Sequence, residues 1–131
     1  MRHVVVGLVA ISLAGLAACN PFAPDQTVIL RVEDISVTPF ITPGSALPVV
    51  LFVTTGGCTV FDHISVVRTA SAAQLIAMGR NTAKGKPNIS CPADIRTDPH
   101  TYTLDPPFES PFTIKVVRES LPPLSATVQV Q

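Results

Sequence analysis

The residues best suited to chemistry are two histidines that each lie close to an aspartate. His63 directly follows Asp62, and His100 lies two residues after Asp98. Two imidazoles and a carboxylate together can bind a divalent metal ion. The alternative is that both histidines lie at strand edges, in solvent or hydrogen-bonded to the backbone. We favour this alternative and predict no metal site.

Other catalytic patterns are missing from the sequence. There is no Gly-x-Ser-x-Gly motif and no glycine-rich phosphate loop. Asp94, Asp98, Asp105 and Glu109 are close in sequence, but glycoside hydrolysis needs two carboxylates at a set separation in a sugar-sized cleft. Asp-Pro dipeptides are also ordinary turn formers. We therefore predict that the protein is not an enzyme and uses no cofactor.

The N-terminal segment has the features of a secretory signal. Arg2 precedes an uncharged run over 4–18, which as a helix spans about 22 Å and is shorter than a hydrocarbon core of about 30 Å. A positive start, a short apolar run and small residues at its end indicate a signal peptide. The run ends in Leu16-Ala17-Ala18-Cys19, which resembles the lipobox of bacterial lipoproteins.

This resemblance implies that signal peptide 1–18 is removed and that the Cys19 thiol carries a diacylglycerol. In many diderm bacteria the freed amine then takes a further fatty acid such as palmitate. Two or three acyl chains give a stable anchor, whereas one does not. Asn20 stands where an Asp retains some lipoproteins in the inner membrane, so the resemblance implies an outer-membrane protein facing the periplasm or the surface. The alternatives are a plain signal peptide with a chance cysteine and an uncleaved anchor helix.

Two cysteines remain in the exported part, Cys58 and Cys91. Export to an oxidising compartment favours a disulfide between them, and closing a loop of this length would stabilise the fold by about 3 to 4 kcal/mol. The alternatives are two free thiols or a metal site, although two cysteines without a CxxC spacing make a poor zinc site.

Composition restricts the remaining possibilities. Loss of Arg2 leaves eight Lys and Arg against nine Asp and Glu, so the body is near neutral and we expect no nucleic-acid partner. All 13 prolines follow the cleavage point, and β-branched residues are abundant between them, which favours short strands over helices. We expect a proline-bearing lipidated tether over 19–26 and one domain over 27–131.

Hydrophobic alternation predicts the strands. A first strand begins at Thr27, and a change of parity at Glu33-Asp34 indicates a bulge. Further strands are expected at 47–54, 59–68, 100–104, 112–118 and 124–131, with a turn region at 38–44. The segment 70–80 is either a hairpin leading into a strand over 74–80 or a short helix, and we favour the hairpin. Residues 81–99 alternate little and predict a long loop, tied back by Cys91.

About seven short strands at this spacing are typical of an antiparallel sandwich of immunoglobulin-like architecture. The core Trp of true immunoglobulin domains is absent. The body also resembles small bacterial envelope lipoproteins of unknown function that carry a Gly-Gly-Cys, here Gly56-Gly57-Cys58, and a later Cys-Pro, here Cys91-Pro92. This resemblance implies no activity.

Together these observations predict a lipid-anchored, non-enzymatic module of the cell envelope that binds a protein or glycan through its loops. Binding residues tend to lie on loops held by a rigid scaffold, which favours the long loop Asn81–His100 that Cys91 would tie back. Its polar candidates are Lys84, Lys86, Asn88, Asp94, Arg96, Asp98 and His100. One alternative is an inhibitor of an exported hydrolase. Another is a small metal-dependent enzyme, which would require His63 and His100 to converge.

Overall fold

The computed structural model describes residues 24–86 and 88–131. The predicted signal peptide 1–18, the predicted lipidation site Cys19 and the tether as far as residue 23 lie outside the described residues. Across the described ranges, none of the chain forms a helix that is long and apolar enough to span a bilayer.

The described part of the chain is all-β, which confirms the predicted class. The strands are β1 (Gln26–Ile29), β2 (Arg31–Val37), β3 (Phe40–Ile41), β4 (Leu47–Gly56), β5 (Thr59–Arg68), β6 (Ala72–Asn81), β7 (Ile95–Leu104), β8 (Phe112–Arg118) and β9 (Leu121–Val130). The strand β6 settles the ambiguity over 70–80 in favour of the hairpin.

The strands form a mixed sheet that curls into a half-barrel. β4 lies between β2 and β7, while β5, β6, β8, β9 and β3 follow one another in the rest of the sheet. β6 pairs with β8 in parallel, and β3 pairs with β9 in parallel. The prediction of a purely antiparallel fold is therefore wrong, and the immunoglobulin-like architecture is not confirmed. β7 lies between β6 and β8 in the chain and runs in the opposite direction to both, so β6 and β8 run in the same direction.

The core forms where the apolar faces of the curled sheet meet. In β4, Leu47, Val49, Leu51 and Val53 have no accessible surface, as expected for a strand with partners on both edges. Burying one such side chain contributes about 1.5–3 kcal/mol. The facing wall consists of buried side chains from β6, β8 and β9: Ala73, Leu75, Ala77, Phe112, Ile114, Val116 and Val128.

Three register shifts interrupt otherwise regular strand pairs, one of them between Val116 and Arg118 in β8. The register of β2 against β4 shifts between Val32 and Asp34, which confirms the bulge predicted there. A second shift, between Phe61 and His63 in β5, was not predicted. It makes Asp62 an extra residue, so neighbouring side chains change face at this point.

The strand β7 corrects the prediction of a loop over 81–99. It begins at Ile95 and pairs with β4 from Ile95↔Gly56 to Leu104↔Leu47, so Arg96 and Asp98 lie on a strand. The first half of β7 buries almost no side-chain surface, so its sequence shows no apolar alternation. Pro99 is tolerated because an edge strand does not need every N–H donor.

The half-barrel has two ends, which we name by their connections. The loop end carries the start of β1, the ends of β4 and β6, and the connection 82–94. The proline end carries the start of β6, the end of β7 and the proline-rich connection 105–111.

Candidate functional site

The connection 82–94, here called the stapled loop, joins the two parts of the sheet at the loop end. Cys58, at the start of β5, and Cys91 lie at disulfide distance, with Cα atoms 5.0 Å apart. This spacing is ordinary for a protein disulfide. The predicted pairing of the two cysteines is confirmed.

Hydrogen bonds hold the backbone of the stapled loop at both of its ends. The Thr82 N–H and hydroxyl both donate to the Cys58 carbonyl, at 2.8 and 3.0 Å. The Asn81 side-chain oxygen accepts from the N–H groups of Ala83 and Lys84, at 3.0 and 3.1 Å. At the other end the Gly57 N–H donates to the Asp94 carbonyl at 3.2 Å. The loop is therefore long but tied down.

Gly56 permits this close approach of the loop to β4. A Cβ atom at Gly56 would lie 2.4 Å from the Asp94 carbonyl oxygen and 2.9 Å from the Ile95 Cα. Both are backbone atoms, which cannot rotate away as a side chain can. This explains the first glycine of the Gly56-Gly57-Cys58 motif.

The side chains from 88 to 97 are all exposed, so the stapled loop and the start of β7 present one continuous accessible segment. It contains two large apolar side chains, Ile89 and Ile95, which are 45% and 77% exposed. Asn88 adopts a left-handed backbone conformation with φ 64°, which Asn tolerates better than most residues. Among the predicted candidates, Lys84, Asn88 and Asp94 are indeed exposed.

Lys86 has a different position from the one expected of a binding residue. Its Nζ donates to Asp25 Oδ1 at 2.5 Å, and the two side chains are only 18% and 23% exposed. Arg80 NH1 approaches Asp25 Oδ2 at 3.7 Å. We call Asp25, Lys86 and Arg80 the ionic clamp. The hydrogen bond from Lys86 is the main cause that lowers the pKa of Asp25 below its ordinary value, with the charges of Lys86 and Arg80 adding to it and desolvation opposing it.

The ion pairs continue from the clamp along β5. Arg80 Nε lies 3.5 Å from Asp62 Oδ1, and Asp62 Oδ2 lies 2.9 Å from His63 Nδ1. Asp62 and His63 are both exposed at the bulge in β5. His63 is exposed, as the strand-edge interpretation expected, but its ring pairs with the Asp62 carboxylate and not with the backbone.

The remaining predicted residues lie on β7 and are engaged with neighbours. Arg96 Nε lies 3.2 Å from Asp98 Oδ2 in an exposed ion pair. The His100 ring stacks on the Phe61 ring, with centroids 3.7 Å apart and planes 19° from parallel. This contact joins the β7 edge to the β5 edge. His100 thus packs across two strands and does not belong to the loop.

A shallow groove of about 320 Å³ lies next to the stapled loop. It is lined by Val28, Ile29, Leu30, Arg31, Thr54, Thr55, Gly56, Thr59, Ile95 and Glu119. Ile95 therefore lies near both the β1–β2 junction and the turn between β8 and β9.

In residues 24–86 and 88–131, no three His, Cys, Asp or Glu side chains are grouped so that they could hold a metal ion.

At the proline end, Arg68 organises the connection that the sequence identified only as a turn. Its guanidinium donates to the carbonyls of Asp105 and Pro107. It also lies over the Phe108 ring, 4.4 Å from the centroid. Phe108 in turn packs edge-to-face on the buried Phe112, with centroids 4.9 Å apart. These two phenylalanines close the core, so they are not a free contact surface.

No protein-family model matches this chain, and comparisons with curated proteins and with solved structures yield no significant match.

Proposed function

We propose that this chain is a lipid-anchored cell-envelope protein whose folded part is a non-enzymatic binding module. The anchor would be the acylated Cys19, and the contact surface would be the stapled loop with the start of β7. The observation that carries this proposal is the combination of a tied backbone with ten consecutive exposed side chains at 88–97. Preorganised loops lose little conformational entropy on binding, so they make good contact surfaces.

The charges of the described residues fit this proposal. Arg96, Lys86 and Arg80 are each within 4.0 Å of a carboxylate, so the loop end has no strongly charged face of the kind that binds nucleic acid. A partner would meet isolated isoleucines with amide and hydroxyl groups between them. Envelope proteins and glycans have surfaces of this mixed chemistry.

Replacement of Cys19 by Ser tests the anchor. We expect the wild-type protein to sediment with membranes and the Cys19→Ser protein to remain in the soluble envelope fraction, because no acyl chain can be attached. Mass spectrometry of the wild type should show residue 19 as the first residue, carrying fatty acid. An intact Met1, or unchanged sedimentation of the variant, would refute the lipid anchor. Asn20→Ser is the matched control, since it introduces the same side chain at the next residue, leaves the Cys19 thiol and the disulfide intact, and should remain membrane-bound.

The way the loop is held also supports a second candidate function, inhibition of an exported hydrolase. A loop that plugs an active site must resist cleavage, and the contacts of Thr82, Cys91 and Asp94 restrain this one on both sides. An inhibitor should block a susceptible exported protease or glycosidase at a one-to-one ratio and be recovered uncut. Cleavage of the loop between 84 and 94 by such enzymes, with no loss of their activity, would argue against this function.

A further inference from the structure

The strand β1 and the ionic clamp determine where the N-terminal segment leaves the folded domain. Gln26 pairs with Asn81 at the end of β6, and Asp25 binds Lys86 within the stapled loop. The chain therefore leaves the domain at the loop end, beside residue 81, where the loop begins. The proline end lies at the opposite ends of the strands.

The length of chain before this point limits its distance from the anchor. Six residue steps separate Cys19 from Asp25, and even a fully extended chain spans at most about 3.6 Å per residue, or about 22 Å. If Cys19 is acylated, as the proposed function has it, Asp25 stays within that distance of the acyl chains. The loop end is therefore the part of the domain that the tether would hold nearest to the bilayer.

The loop end also carries apolar side chains that the fold leaves uncovered. Ile89 and Ile95 are 45% and 77% exposed, and Leu121, at the start of β9, is 37% exposed. The groove lined by both Ile95 and Glu119 shows that the loop and the β8–β9 turn are neighbours. Scattered apolar side chains need no explanation on a free surface, and Phe40 and Val67 are exposed at the proline end as well. What distinguishes Ile89, Ile95 and Leu121 is their position at the end where the N-terminal segment leaves the domain.

The charges at this end indicate what kind of membrane contact is possible. Arg31 pairs with Glu33, Lys86 with Asp25, and Arg96 with Asp98. With these three cations paired, the exposed Lys84 is a single charge and not the basic cluster that attracts anionic lipid. Apolar side chains that enter the boundary between headgroups and acyl chains would supply the contact.

We propose that the stapled loop rests on the bilayer itself, with Ile95 and Ile89 inserted at the lipid interface and the proline end directed away. The partner of the candidate surface is thus the membrane that holds the anchor, and this inference rests on the proposed acylation of Cys19. The lipid and the isoleucines then hold the domain in one orientation, leaving the proline end free for other envelope components.

A single tryptophan tests this orientation, because the sequence contains no Trp. Full-length protein carrying Ile95→Trp is matured in cells, purified and reconstituted into phosphatidylcholine vesicles with or without brominated acyl chains. We expect brominated lipid to quench its emission at least about twofold, because interfacial side chains lie about 5–10 Å into the headgroup and acyl boundary. The matched control is Val67→Trp, a 65% exposed position near the end of β5 at the proline end, which should not be quenched.

Ile89→Trp, in the stapled loop, provides a second probe at the same end of the domain and should behave like Ile95→Trp. The mass of each preparation is measured first, so that failure of the anchor is seen separately. Protein without fatty acid at Cys19 would overturn the proposed function and this orientation together. Acylated protein in which neither loop position is quenched, or in which Val67→Trp is quenched equally, would overturn the orientation alone. Acylated protein in which neither Ile89→Trp nor Ile95→Trp is quenched would favour a protein partner for the loop.

Discussion

Asp25 joins the start of the described chain to two other segments. It binds Lys86 in the stapled loop, 61 residues further along, and it pairs with Arg80 near the end of β6. Each of these residues alone is an ordinary surface charge. Together they hold the first described residues against the loop. These side-chain contacts extend the association of the N-terminal segment beyond Gln26↔Asn81, the last backbone pair between β1 and β6.

The lowered pKa of Asp25 predicts a pH-dependent contribution to stability. A carboxyl group whose pKa is lower in the folded protein stabilises it above the unfolded pKa of about 3.9, and the effect is lost as the pH falls through the folded value. We therefore expect the wild type to be more stable than Asp25→Asn at neutral pH, with the difference disappearing in acid below about pH 4. Urea unfolding of both proteins between pH 2 and 7 measures this difference.

The control for this prediction is Asp98→Asn, which removes the carboxylate of an exposed pair. Side chains in this pair are 72% and 48% exposed, and exposed pairs contribute about 0.2–1 kcal/mol at most. A wild-type advantage over Asp25→Asn that persists unchanged at pH 2 would show that the Asp25 charge is not responsible.

The strands themselves show how far apolar alternation predicts structure. β4, β6 and β8 bury alternate side chains, whereas β5 is only half-buried and its pattern is interrupted at the bulge. The positions of all four strands nevertheless follow from the sequence within a few residues. The first half of β7 has no such pattern, because it is held by hydrogen bonds to β4 and buries little. The parallel partners of β6 and β3 could not be predicted, since alternation specifies which face is buried and says nothing about which strand lies alongside.

The same distinction applies to the candidate site. The pairing of Cys58 and Cys91 was predictable because they are the two cysteines left once Cys19 is assigned to the expected lipid, and the structure places them at disulfide distance. The stacking of His100 on Phe61 depends on how two strand edges meet, and the contact between Lys86 and Asp25 joins distant segments. Neither contact has a local sequence signal, so the sequence could offer Lys86 and His100 only as candidates of the loop that Cys91 ties back.

Arg68 connects the end of β5 to the proline-rich connection, and this role can be tested. Its guanidinium holds two carbonyls and lies over Phe108. Hydrogen bonds that involve a charged group contribute about 1.5–3 kcal/mol, so we expect Arg68→Ala to lower the free energy of unfolding by about 2 kcal/mol or more. Arg68→Lys should recover only part of this, because an ammonium lacks the planar fork that reaches both carbonyls.

Urea unfolding measures the effect, with Arg96→Ala as the matched control. Arg96 forms only an exposed ion pair with Asp98, so its removal should cost less than about 1 kcal/mol. Equal losses for Arg68→Ala and Arg96→Ala would mean that Arg68 does not organise the proline end.

For the whole molecule, the disulfide spans the connection between the two parts of the sheet. Cys58 lies at the start of β5 and Cys91 lies just before β7, 33 residues away in sequence. β4 and β5 pair only at Gly56 and Thr59, so few backbone hydrogen bonds join the two parts there. The covalent link therefore acts at a weakly paired junction.

Removal of the disulfide should destabilise the entire domain. We expect Cys91→Ser to lower the free energy of unfolding by about 3 to 4 kcal/mol, because a closed loop restricts the unfolded chain. Thermal unfolding of the wild type with and without reductant gives the same comparison without a mutation. Reductant should leave the melting temperature of Cys91→Ser unchanged, and a wild type that melts equally in both conditions would contradict the prediction.

The position of β1 has a mechanical consequence for a protein held at its N-terminus. The four residue pairs from Gln26↔Asn81 to Ile29↔Met78 run along the last part of β6, and the buried Leu30 follows directly. Traction applied through the N-terminal segment would pull β1 lengthwise along β6. The ladder hydrogen bonds would then share the load instead of opening one after another, and drag on the domain would reach the core only after this short strand had slipped.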